Sequence, residues 1–180
     1  KQMDLLTSCI RADGEYAQLL AAVRAAFRDK PLPLLANGLC EGATEAFMTS
    51  LIEDVCTKAA PDGGVSRTGR RRCALIVCPE EKDCVRLGQT LERFGLRAAF
   101  YTPRDLSFYN VTASHEYEHE RMRVLSGLAA GTLDAVITTP DAALSYTVPP
   151  DVLRAASVRL DFHTPVDPGT LAEKLVAAGY

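Results

Sequence analysis

A chain of 180 residues and 19.5 kDa, 47% hydrophobic and 24% charged, has enough apolar content to close a core, which excludes a disordered tail or a collagen-like fibre. Lys and Arg number 20 against 23 Asp and Glu, a formal charge of −3 with a pI near 5.6, so no global positive field holds nucleic acid. The longest apolar run, Cys73 to Cys78, is far short of the ~20 residues that cross a bilayer, and Lys1-Gln2-Met3-Asp4 leads into no signal-peptide hydrophobic stretch. The expectation is a cytoplasmic protein with no membrane partner.

Taken in chain order, Tyr16, Leu19, Leu20, Val23 and Phe27 recur at helical spacing between Gly14 and Arg28, and Pro31 and Pro33 stop that first helix. Pro33-Leu34-Leu35-Ala36 reads as a short buried strand. After Asn37-Gly38 a second helix carries Phe47, Met48, Leu51, Ile52, Val55 and Cys56 on one stripe. Pro61 to Arg72 has no periodicity and clusters Gly, Ser and Arg, as a surface loop does. Its arginines, Arg67, Arg70, Arg71 and Arg72, have no interleaved aromatic to stack on bases, so a solvated loop is expected in preference to a nucleic-acid contact.

Cys73 to Cys78 has the pattern of a strand covered on both faces, and Pro79-Glu80-Glu81 opens a helix with Cys84, Leu87, Leu91 and Phe94 at spacings of three and four, ended by Gly95. A strand near Ala98 to Tyr101 follows, then a helix from about His115 to Leu128 with Tyr117, Val124, Leu125 and Leu128 on one face. Leu133 to Thr138 is the next strand, and Thr139-Pro140 caps a short helix through Leu144. Repeated alternation of strand and helix predicts an α/β layer with a mostly parallel sheet. Beyond Pro149-Pro150, alternating Val158, Leu160 and Phe162 suggest a half-buried strand, and Asp167-Pro168 starts a last helix through Ala178, stopped by Gly179.

Gly38-Leu39-Cys40-Glu41-Gly42-Ala43-Thr44-Glu45 stands between predicted strand and helix, where a phosphate-binding loop belongs, and has its length if Ala43 takes the second glycine position. A working loop follows with a lysine for the β and γ phosphates and a hydroxyl for Mg²⁺. Here those positions read Thr44 and Glu45, with Glu41 adding a further negative charge. The expectation is a tight turn packing helix on sheet, with residual nucleotide binding as the alternative. Val77-Cys78-Pro79-Glu80 and Thr138-Thr139-Pro140-Asp141 echo loops of superfamily 2 helicases, and each also fits an ordinary capped strand-to-helix turn. No Asp-Glu-x-x motif for Mg²⁺ follows.

The order of these segments resembles the N-terminal UvrB-homology module of the bacterial transcription-repair coupling factor family, Mfd, over about Asp4 to Tyr180. Its most telling stretches are Leu35 to Leu39 with the altered loop, Thr102-Pro103-Arg104-Asp105-Leu106-Ser107-Phe108-Tyr109, and Gly169 to Tyr180. The resemblance implies a helicase-like (RecA or P-loop type) three-layer α/β domain over residues 1–148 that has lost ATPase function. It further implies the start of a small α+β subdomain over 149–180, first strand and helix, with its remainder beyond this sequence. The role it implies is non-catalytic: part of the region that recruits UvrA in transcription-coupled nucleotide excision repair. By the same resemblance, UvrA contact residues lie beyond Tyr180, and the ATP, Mg²⁺, RNA polymerase and DNA sites lie in other regions of a parent translocase. No catalytic, cofactor-binding or metal residue is therefore assigned to this chain. The alternative is a nucleotide-binding P-loop ATPase or helicase domain like UvrB itself. UvrB keeps the loop lysine and carries a long aromatic hairpin, for which Asn110 to Ser114 leaves no room.

Two other groups of residues carry the elements of a site. His115-Glu116-Tyr117-Glu118-His119 fits H-E-x-x-H, but lacks an adjacent third ligand, with only the distant His163 or carboxylates to offer; its acidic neighbours, with Arg121 and Arg123, read as a solvated helix face. The six cysteines, Cys9, Cys40, Cys56, Cys73, Cys78 and Cys84, show no Cys-x-x-Cys spacing, and core thiols are expected for most of them.

Overall fold

The computed structural model describes residues 2–27, 33–40, 42–57, 60, 62–66, 69–103, 116–158, 160, 162–163 and 166–177. Those residues form eight helices and three strands, in two compact units, Lys1–Ser145 and Tyr146–Tyr180. The chain is mixed α/β with a small parallel sheet.

In the first unit the sheet is built from β1 (Ala74–Val77), β2 (Ala98–Tyr101) and β3 (Ala135–Thr138) in the order β1-β3-β2, every pairing parallel. Leu75, Val136 and Ala99 stand in one row across it, and Val77, Thr138 and Tyr101 in the next but one. Because side chains alternate faces, Ala135 and Ile137 join a cluster with Ile52, Val55, Cys84 and Leu91, whereas Val136 joins Ala99, Tyr101, Val124 and Ala142. The first face is covered by α3 (Ala43–Cys56) and α4 (Glu81–Arg93), the second by α5 (Glu116–Ala130) and the short α6 (Pro140–Leu144). Each of the four central-strand residues is buried.

The edge strand β1 departs from the expectation of cover on both faces. Leu75 is 66% and Val77 51% exposed, and neither joins the cluster that Ala99, Tyr101 and Val136 form with Val124 of α5 and Ala142 of α6. The expected strand at Pro33–Ala36 is absent too: residues 33–40 are irregular, and Leu35 is exposed. A run of four apolar residues satisfies coil as well as strand unless a sheet edge takes up its N–H and C=O groups.

Ahead of the expected first helix, now α2 (Gly14–Ala26), stands α1 (Gln2–Ala12), which the sequence reading did not anticipate. Asp13 separates them and caps α2, its carboxylate accepting from the N–H groups of Glu15 at 2.7 Å and Tyr16 at 3.3 Å. Both helices pack on α3. Arg11 reaches Glu53 at 2.6 Å and Asp54 at 3.1 Å, the Tyr16 hydroxyl donates to Asp54 at 2.6 Å, and the Tyr16 and Phe47 rings meet edge to face.

The second unit holds α7 (Pro150–Ala156) and α8 (Pro168–Ala177). The strand expected around Val158 to Phe162 is not formed: described residues there are coil or turn, and Phe162 is fully exposed. The prolines at 149 and 150 instead start a helix, a use their fixed φ favours at the first helical position. Asp167 accepts from the Thr170 N–H at 2.8 Å at the head of α8. No helix among the described residues is long and apolar enough to cross a membrane.

Candidate functional site

The altered phosphate loop ends at Gly42, whose φ of 85° places it in the left-handed region at the N-cap of α3. No side chain caps that end. Glu45 lies in the first turn, where a carboxylate meets the positive end of the helix dipole. Its side chain stands 4.0 Å from the Arg86 guanidinium of α4, and its carbonyl accepts from the Thr49 hydroxyl at 2.8 Å. Glu41 lies outside the described residues. With no strand leading into it, the segment does not have the strand-loop-helix frame that the sequence suggested.

At the amino ends of the strands is an open cavity of about 570 Å³, lined among others by Arg11, Arg71 and Arg97 and by Glu53, Asp54 and Asp134. Three cations face three carboxylates, so the wall has no net charge. Asp134 organises one side: its carboxylate accepts from Arg97 Nη2 at 2.8 Å, Arg97 Nε at 2.9 Å, the Arg97 backbone N–H at 3.0 Å and Arg71 at 3.1 Å. Burial alone would raise its pKa; these bonds and charges outweigh it and hold the carboxyl below its ordinary value. Open α/β sheets bind ligands outside the carboxyl ends of their strands, and this cavity is at the other end, where the pairs instead fasten three loops together.

That network corrects the reading of the Pro61–Arg72 loop as wholly solvated. Arg71 pairs with Asp134, and Arg72 bonds Asp62 at 2.6 Å and the Val55 carbonyl at 3.1 Å, with its guanidinium 4.5 Å over the Phe27 ring. Arg70 is exposed and Arg67 lies outside the described residues.

The carboxyl ends of β2 and β3 hold a site that the sequence reading missed. Arg121, expected on a solvated helix face, is 2% exposed. Its guanidinium stacks 4.2 Å over the Tyr101 ring, donates to the Thr102 carbonyl, and donates to the Ser145 hydroxyl at 3.1 Å. The Tyr101, Thr102 and Thr139 hydroxyls are likewise buried, and none bonds to another described residue. The signal lay in the spacing: Arg121 stands three and four residues before Val124 and Leu125, the buried and half-buried members of the apolar face, whereas Tyr117 and Leu128 of that face are exposed. Its neighbour Arg123 does face outward and pairs with Glu120 at 2.6 Å.

Of the rival sites, His119 is exposed and His115 lies outside the described residues; among the described residues no group of three or more His, Cys, Asp or Glu able to hold a metal occurs. Cys56, Cys78 and Cys84 are buried, Cys73 half-buried, and Cys9 and Cys40 exposed, all as free thiols. Residues 104–115, which include most of the Thr102–Tyr109 stretch and the Asn110–Ser114 connection, lie outside the described residues, as do Ala178, Gly179 and Tyr180. Comparison with protein-family models, with curated proteins and with solved structures finds no match to this chain.

Proposed function

We propose that this chain is a non-catalytic docking module of the transcription-repair coupling factor family, a helicase-like α/β domain without nucleotide chemistry that forms part of a UvrA-recruiting region. The observation that carries this reading is the start of α3. A nucleotide loop would need a cation and a metal-binding hydroxyl there, and the chain offers Thr44 and Glu45, with Glu45 already in the first turn. A polyphosphate placed at that turn would meet a carboxylate; at an effective dielectric of 20, unit charges about 4 Å apart repel by roughly 4 kcal/mol. The order of segments that resembles the UvrB-homology module, and the parallel α/β layering of the first unit, support the helicase-like part of the proposal. Under it, ATP, Mg²⁺, RNA polymerase and DNA are handled by other regions of a parent polypeptide, in the cytoplasm.

UvrA retention tests the proposal. This chain and a form continued beyond Tyr180 through the rest of the second subdomain are immobilised and exposed to purified UvrA. The longer form is expected to retain UvrA and the shorter one to retain little. Equal retention would move the contact into residues 1–180, and none by either form would refute the docking role. Saturable micromolar binding of a fluorescent ATP analogue with Mg²⁺ would favour the rival nucleotide-binding reading.

A further inference from the structure

We draw no further inference here: the strongest candidate, the open edge of β1 with the exposed side chains of Leu75 and Val77, is an unpartnered apolar face, and nothing among the described residues shows what covers it.

Discussion

Asp134 and Arg97 are joined three times, by two guanidinium nitrogens and by the Arg97 backbone N–H, at 2.8 to 3.0 Å. The pairing locks the entrance of β2 to the entrance of β3, and Arg71 brings the entrance of β1 to the same carboxylate. Asp134 is 5% exposed, so its removal leaves two guanidiniums facing each other with a part-buried backbone N–H unmet. Asp134→Ala is expected to lower unfolding free energy by about 2–3 kcal/mol, since breaking a buried pair costs more than the pair contributes. Urea denaturation checks this. A loss under about 0.5 kcal/mol, the range of ordinary surface changes, would mean that the three loops hold together without the carboxylate.

The same residue sets a pH dependence. Its folded pKa is depressed, so its contribution to stability is present above the unfolded carboxyl value of about 3.9 and is lost as pH falls through the lower folded value. Asp134→Asn cannot titrate. The stability gap between parent and Asp134→Asn should therefore be widest at neutral pH and shrink below about pH 4, measured as urea midpoints across that range. Asp62, also depressed by its bond to Arg72, titrates in both proteins, so the difference between them isolates Asp134. A gap that stays constant down to pH 2.5 would contradict the assignment.

How far the sequence could anticipate these features depended on whether the deciding partner is local. The segments at β1, β2, β3 and α4 were legible because each apolar stretch is bounded by Pro, Gly or charge within the chain itself. Pro33–Ala36 was misread because its partner, a sheet edge, is remote and the apolar run alone does not select extended pairing. Likewise, cover over Leu75 and Val77 depends on how far α5 reaches across the sheet, which no local pattern encodes. Arg121 sat in plain view on an inward stripe, yet a guanidinium is almost never fully buried unpaired, and its spacing was overruled by its charge. The bond from the Thr138 hydroxyl to the Tyr101 carbonyl depends on the parallel register and is visible only once β2 and β3 are paired.

Gly64 has a sterically fixed identity. Its φ is +67°, and a Cβ there would press on the carbonyl oxygens of Cys56 and Thr57 at the end of α3. Its carbonyl accepts from the Arg72 N–H at 2.8 Å, and its own N–H donates to Asp62 at 3.1 Å, so the backbone has little freedom to relieve the clash. Gly63, at φ +68°, has open space around its Cβ direction. Gly63→Ala is expected to cost about 1–2 kcal/mol for left-handed backbone alone, and Gly64→Ala distinctly more, through strain at a special φ added to overpacking. Thermal unfolding of the two variants side by side checks the order, and equal midpoints would show that the loop moves aside.

The two faces of the sheet allow a sharper comparison. Ile137 is fully buried at the centre of β3, in the cluster with Leu91, Cys84 and Ile52, whereas Leu75, one residue away from the equivalent row on β1, is two-thirds exposed. Ile137→Ala removes three buried carbons from a close-packed site and is expected to cost about 2–5 kcal/mol, the transfer loss plus the cavity it leaves. Leu75→Ala removes an apolar side chain that water already reaches, so it should cost under about 1 kcal/mol, mainly strand propensity. Both are read by urea unfolding with the m-value checked for constancy. If Leu75→Ala costs as much as Ile137→Ala, the β1 face is covered in solution, and the exposure at Leu75 and Val77 does not describe the isolated chain.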